Sequence, residues 1–225
     1  VKAFIIMRDR ASYAQLCLTA LARAGLEPVV VDQGSTWPGA LEWLDVIEQG
    51  GDALVLRKGN GHPRDLWGYE PFRELCGDDY YMVTDPDVVP SDDCPLDWPA
   101  RLRDLLDRYP GYRKAGLGLR IDLIPETYQW RDKVISWEQQ FWQCPIEPGV
   151  FARGIDTTLA LYRPLAEGGF VIDGALRTGY PYVADHLSWY EDLDHLTPEI
   201  DWYATHAEPG ISHWTRKDRS NWGHA

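Results

Sequence analysis

Two aspartates one residue apart, Asp85 and Asp87, follow directly on the apolar run Tyr80-Tyr81-Met82-Val83-Thr84. Carboxylates spaced this way at a strand end project into one space, where they can chelate a hard divalent cation, including one that bridges a diphosphate. Pro86 between them limits backbone freedom at the turn. The chain carries a second match, Asp192-Leu193-Asp194, so spacing alone does not select a site. Position does: Asp85 ends the fourth of a series of strand-like runs, and open α/β sheets bind ligands beyond the carboxyl ends of their strands. Asp32, in Asp32-Gln33-Gly34-Ser35-Thr36, also follows an apolar run. It reads as a turn-closing residue with Ser or Thr capping the next helix, and equally as an acceptor for a nucleobase edge; the two roles are compatible. Glycine-rich phosphate loops are missing. Arg8-Asp9-Arg10 has no glycine, and Gly59-Asn60-Gly61 is followed by Arg64 where a dinucleotide fingerprint needs its third glycine. A Rossmann NAD site and a P-loop are therefore disfavoured.

These residues need elements to hold them. Residues 3–7 read as a buried strand, and Tyr13, Leu16, Cys17, Ala20, Leu21 and Ala24 form a helical stripe between Ser12 and Gly25. Residues 28–32 give a second strand, and a helix carrying Leu41, Leu44 and Ile47 begins at Pro38 and stops at Gly50-Gly51. A third strand over 53–56, a short helix near 70–76 and a fourth strand over 80–84 follow. This alternation predicts parallel βαβ units, hence an α/β sheet of mainly parallel strands flanked by helices. The second half is less regular: a helix over 99–109, a strand over 115–121, an aromatic-rich helix over 126–142, and strands over 157–162 and 180–184. With no repeat, low-complexity tract or linker, the 225 residues read as one domain. Residues 1–90 form a nucleotide-type half, and 91–225 hold a second substrate.

Composition narrows the partners. Twenty-two basic against 35 acidic residues give a net charge of −13, a field that repels polyanions and makes nucleic acid a poor partner. The four cysteines, Cys17, Cys76, Cys94 and Cys144, include no CxxC pair, which leaves a zinc knuckle or dithiol redox site without support and suits reduced thiols in a cytoplasm. No apolar run approaches the ~18 residues of a membrane span, and the apolar residues 3–7 meet Arg8-Asp9-Arg10 too soon for a signal peptide. Trp and Tyr, 11 and 12 against five Phe, favour sites where a ring is both packed and hydrogen-bonded, sugar clefts and cores alike.

The order of the first strand, Val29-Val30-Val31-Asp32-Gln33-Gly34-Ser35-Thr36, Arg57-Lys58-Gly59-Asn60-Gly61 and Tyr80–Pro90 resembles the nucleotide-sugar half of GT-A fold glycosyltransferases, especially the family-2-like group of bacterial and phage type. Two later stretches, 154–163 and 182–190, resemble them less specifically. The resemblance implies a nucleotide-sugar donor, UDP-linked by default. Asp32 would contact the base, with Arg8, Asn60, Gly61, Arg64 and Thr84 around the nucleotide. Asp85 and Asp87 would hold Mn2+ or Mg2+ against the diphosphate. His186 would complete the metal shell, with His213 as its rival; each also reads as an ordinary hydrogen-bonded histidine.

Such a reaction develops charge on the leaving diphosphate, which a divalent ion neutralises, while an inverting enzyme deprotonates the acceptor hydroxyl with a carboxylate. Asp156 ranks first as that base and Asp185 second, with Glu191-Asp192 also competing. The acceptor half offers Trp130, Trp137, Trp142, Trp189 and Tyr190 as a platform or as core, and a soluble glycan or small molecule is the favoured acceptor. The same Asp85-Pro86-Asp87-Val88-Val89 also resembles the nucleophile loop of haloacid-dehalogenase-like phosphatases, but that loop belongs on a first strand. A sugar nucleotidyltransferase would need a glycine- and arginine-rich first loop. A non-catalytic nucleotide-sugar or carbohydrate-binding protein is the non-enzyme alternative.

Overall fold

The computed structural model describes residues 1–207. Strand and helix alternate through its first half: β1 (Lys2–Met7), α1 (Ala11–Arg23), β2 (Glu27–Asp32), α2 (Pro38–Gly50), β3 (Leu54–Arg57), a 3-10 turn over Pro63–Gly68, α3 (Glu70–Cys76) and β4 (Tyr81–Thr84). β1 lies parallel to both β2 and β4, and β2 to β3. The loops after all four strands therefore emerge at one end of the sheet. Then follow β5 (Val88–Pro90), α4 (Trp98–Arg108), β6 (Lys114–Leu119), α5 (Arg131–Glu138), β7 (Val150–Ala152), β8 (Ala160–Tyr162), β9 (Ala175–His186) and α6 (Pro198–His206). The sheet order is β3-β2-β1-β4-β8-β6-β9-β5, with β7 also on β9. β8 runs antiparallel between β4 and β6, β9 is parallel to β6, and β5 and β7 are antiparallel to β9.

Side chains alternate across β1. Ile5 and Met7 enter one core with Ala14, Leu21, Leu44 and Leu102, while Phe4 and Ile6 enter the other with Phe72, Tyr81 and Tyr162. Burial on both faces explains why the early strands read as unbroken apolar runs rather than as alternation. Among the described residues no helix is long and apolar enough to cross a membrane.

The second half departs from the pattern in four places. The helix expected over 126–142 shrinks to α5 and a 3-10 turn over Gln139–Trp142, because Tyr128 and Arg131 close tight turns before it. Tertiary packing then fixes its end: a Cβ on Gly118 would stand 3.1 Å from the Trp142 ring. The strand expected over 157–162 begins only at Ala160, since residues 156–158 turn toward Asp85 instead of joining the ladder. The strand expected over 180–184 is the end of the longer β9; opposite Leu117 and Gly118 its register jumps from Thr178 to Val183, so residues 179–182 bulge outward. The short β5 and β7 went unread.

Candidate active site

The four loops at the carboxyl ends of β1 to β4 are tied to one another. Asp9, fully buried at φ 60°, takes a left-handed conformation that Asp tolerates. Its Oδ1 accepts from the Thr36 and Trp37 amides at the start of α2, the latter at 2.7 Å, and its own amide donates to Ser35 Oγ at 2.9 Å. Asp32 closes its own turn, accepting from the Ser35 amide at 2.9 Å. A Cβ on Gly34, at φ +76°, would stand 2.9 Å from the Asn60 amide nitrogen, so glycine lets the second and third loops touch. Arg8 donates to Asn60 Oδ1 at 2.8 Å. Arg8, Asp32, Asn60 and Gly61 thus belong to linked neighbouring loops. Arg64 stacks its guanidinium over Phe170 at 5.1 Å. Thr84 departs from the expected role: it is fully buried, its hydroxyl donates to the Asp85 carbonyl, and it offers nothing to the crevice.

At the end of β4 the two aspartates differ. Asp87 is 3% exposed; its Oδ2 accepts from Arg10 Nη1 at 2.6 Å and from Ser188 Oγ, with His186 Nδ1 3.7 Å away. Burial alone would raise its pKa, but Arg10, His186 and Ser188 outweigh that and hold it at about 2. Asp85 is half-buried and accepts from Thr157 Oγ1 at 2.9 Å. Burial first, then the charges of Asp156 and Asp87, push it up to about 8. The side chain of Asp156 is exposed beside it and accepts from the Thr158 amide at 3.2 Å. His186 is buried, stacks on Trp189 with ring centroids 4.6 Å apart, and leaves Nδ1 without a hydrogen bond. Burial lowers its pKa, against the pull of Asp87. Asp85, Asp87, Asp156 and His186 are therefore electrostatic neighbours in one place.

Asp185 does not join them. It precedes His186 on β9 and points to the other face, accepting from Tyr190 at 3.1 Å and lying 3.6 Å from Arg120. Asp192 and Asp194 lie in an exposed turn in which Asp192 accepts from the Asp194 amide at 2.9 Å and has His195 Nδ1 2.8 Å away, and Glu191 accepts from Tyr13 at 2.7 Å. His213 lies outside the described residues.

Three supports escaped the sequence reading. Lys114, fully buried at the start of β6, donates to the Asp156 carbonyl at 2.8 Å and to Tyr162 at 3.0 Å. Burial brings its pKa down to about 7, against the attraction of Asp156. Arg177 donates to the Gly154 carbonyl at 2.9 Å and pairs with buried Glu138 at 3.0 Å. Arg10 anchors Asp87 and lies 4.4 Å from the Tyr203 ring on α6. The available signal was a basic residue at the mouth of a buried strand, as Lys114 is, or within one, as Arg177 is.

Among the described residues no group of three His, Cys, Asp or Glu side chains is placed to hold a metal by itself. The donors present do fit a cation that is completed by ligand oxygens: Asp85 is crowded by negative charge, and His186 Nδ1 is an unused buried nitrogen.

No family model matches the chain, and no curated protein matches its sequence. Among solved structures it is similar to the mannosyltransferase PcManGT from Pyrobaculum calidifontis, in complex with GDP-Man and Mn2+, at 15% identity over 90% of this chain and 59% of that one, with a TM-score of 0.53. It is also similar to residues 1–349 of TarS from S. aureus, at 12% identity over 88% of this chain and 64% of that one, with a TM-score of 0.50. The fold is the GT-A fold of these proteins, and the chain spans about 60% of their length.

Proposed function

We propose that the chain is a glycosyltransferase that moves a sugar from a nucleotide-diphosphate donor to an acceptor hydroxyl with the help of a divalent cation. One observation carries the reading: Asp85, Asp87 and Asp156 converge, with His186 beside them, where the β1, β2 and β3 loops of a GT-A fold also meet. The Mn2+ and GDP-Man reported with the mannosyltransferase support the same class of ligand. When bound, a divalent cation supplies Lewis-acid neutralisation of the leaving diphosphate.

The chain's own residues do the rest. Asp85 and His186 are the donors toward that cation, while Asp87 is a fixed anchor that locks Arg10 and Ser188 beneath them. Arg8, Asn60 and the Gly34 turn frame the donor's nucleoside, with Asp32 shaping the turn. Asp156, exposed beside Asp85, is the general base for the acceptor hydroxyl, its backbone held by Lys114 and Tyr162. UDP is the first nucleotide to test, and a soluble glycan or small molecule the first kind of acceptor.

Calorimetry with a panel of nucleoside diphosphates and sugar nucleotides, with and without Mn2+, tests the donor site, and release of free sugar measured alongside tests turnover. The expected result is Mn2+-dependent binding of one nucleotide, lost in Asp85→Asn. No binding by a folded protein across the panel overturns the reading. Binding without release, with every acceptor tried, leaves a nucleotide-sugar-binding protein.

A further inference from the structure

The loop that presents Asp156 is pinned at two of its carbonyls, Gly154 by Arg177 Nε at 2.9 Å and Asp156 by Lys114 Nζ at 2.8 Å. Both side chains rise from neighbouring strands, since Lys114 opens β6 and Arg177 lies on β9, which runs parallel to it. Lys114 stands opposite Tyr162 in the register of β6 with β8, yet its amine reaches back to a carbonyl six residues earlier in the chain. Gly116 lets the chain pass this close to β6: a Cβ there would stand 2.6 Å from the Leu159 carbonyl oxygen. The same loop turns the Thr157 hydroxyl onto Asp85, at 2.9 Å, and leaves the Asp156 carboxylate exposed.

Arg177 has a structural reason to be charged, because it pairs with buried Glu138 at 3.0 Å. Lys114 has none. It is fully buried, and its two hydrogen-bond partners are uncharged: the Asp156 carbonyl and the Tyr162 hydroxyl at 3.0 Å. The rings of Tyr162 and Phe170 lie 4.8 and 5.0 Å from Nζ. Burial brings its pKa down to about 7, so at neutral pH the amine works against folding. Removing it would strand neither partner, because the Tyr162 hydroxyl also donates to the Asp156 carbonyl, at 3.2 Å. An apolar side chain of similar length would therefore keep the fold and relieve that cost. The fold alone does not account for a lysine here.

We infer that Lys114 is a positioning residue of the site, which fixes the Asp156 peptide, and with it the Asp156 carboxylate and the Thr157 hydroxyl, against Asp85 at the expense of stability. A carbonyl held by two donors is confined more tightly than one held by the Tyr162 hydroxyl alone, and small displacements of a reacting group are costly. The role as support of a general base rests on the proposed glycosyl transfer; the pinning of the loop does not.

Lys114→Met, with Lys114→Leu alongside, separates positioning from folding. The expected variants melt at pH 7 no lower than wild type. Two amides report on the loop, Ile155, which donates to the Ile172 carbonyl, and Thr158, which donates to Asp156 Oδ1; both should exchange roughly tenfold faster, the loss of one hydrogen bond on their segment, while β1 and β2 exchange as before. Mn2+-dependent nucleotide affinity should change little, because losing a nearby positive charge offsets a looser Thr157, whereas release of free sugar should fall roughly 10- to 100-fold. A lower melting temperature in both variants makes Lys114 a structural residue and overturns the inference. So do wild-type exchange at both amides, loss of nucleotide affinity, and sugar release that is unchanged despite faster exchange. If wild type binds no nucleotide or releases no sugar, the melts and the exchange still decide: with the expected results the pinned loop stands and the transfer reading falls.

Discussion

At the scale of single residues, Asp85 and Asp87 look alike in the sequence and are opposites in the structure. Asp87 holds a buried guanidinium, so Asp87→Ala leaves Arg10 charged and unpaired and should destabilise the protein by about 3–5 kcal/mol, read by denaturant unfolding. Asp85 is disfavoured as an anion by burial first and then by like charge, so the neutral isostere Asp85→Asn should raise stability by roughly 1 kcal/mol or more at pH 7 while abolishing Mn2+-dependent nucleotide binding. Paired thermal melts and calorimetry on the two variants check this; equal loss of stability in both would mean that the anchor and the ligand have been confused. The place of the motif at the end of the fourth strand brought this pair forward as candidates, and the apolar strand after Asp156 brought that residue forward, because both signals are local. Lys114, Arg177 and Arg10 were not legible as supports: their significance comes from partners 39 to 77 positions away, Asp156, Glu138 and Asp87.

At the scale of elements, the parallel half was readable because each strand ends in a loop and each helix carries its own stripe and stop. The second half was readable only in part: α4 and β6 stand close to where they were expected, but β5 and β7 are three residues long and exist only through pairing with β9. Two elements make testable claims. α6 packs over the first two loops: Trp202 donates to Thr36 at 3.1 Å and its ring meets that of Trp37 at a tilt, centroids 5.4 Å apart, and Glu199 accepts from the Ser12 amide at 3.0 Å. Trp202→Ala should cost about 1–3 kcal/mol and speed amide hydrogen exchange at residues 8–10 and 33–37 before it affects α4. At the C-terminal end of α4, Glu147 accepts from Arg108 at 2.7 Å and from Tyr109 at 2.8 Å, and the Arg108 bond leads in holding its carboxyl down at about 2. A depressed carboxyl contributes stability that is present above its unfolded value of 4.5 and lost as pH falls toward 2. Glu147→Gln should therefore narrow the gap from wild type in melts between pH 4.5 and 2, and leave a small constant loss at pH 7, because the pair is solvent-exposed.

At the scale of the whole molecule, a net charge of −13 sets a condition on any anionic donor. A nucleoside diphosphate approaches against this field, and at the crevice it meets the exposed Asp156 with Asp85 beside it, while Asp87 is already paired with Arg10. Repulsion that acts over many ångströms is screened once the Debye length falls to about 8 Å at physiological ionic strength, whereas contacts formed at close range are screened much less. Salt should therefore act on the approach and leave the bound state nearly alone. Stopped-flow measurements of UDP binding at fixed saturating Mn2+, from low salt to about 0.15 M, should show the association rate rising and the dissociation rate nearly constant. An association rate that falls instead would mean that Arg8, Lys58 and Arg64 on the donor loops steer the ligand locally despite the global charge. The field at the crevice mouth would then be basic, and the acidic surface would lie elsewhere on the molecule.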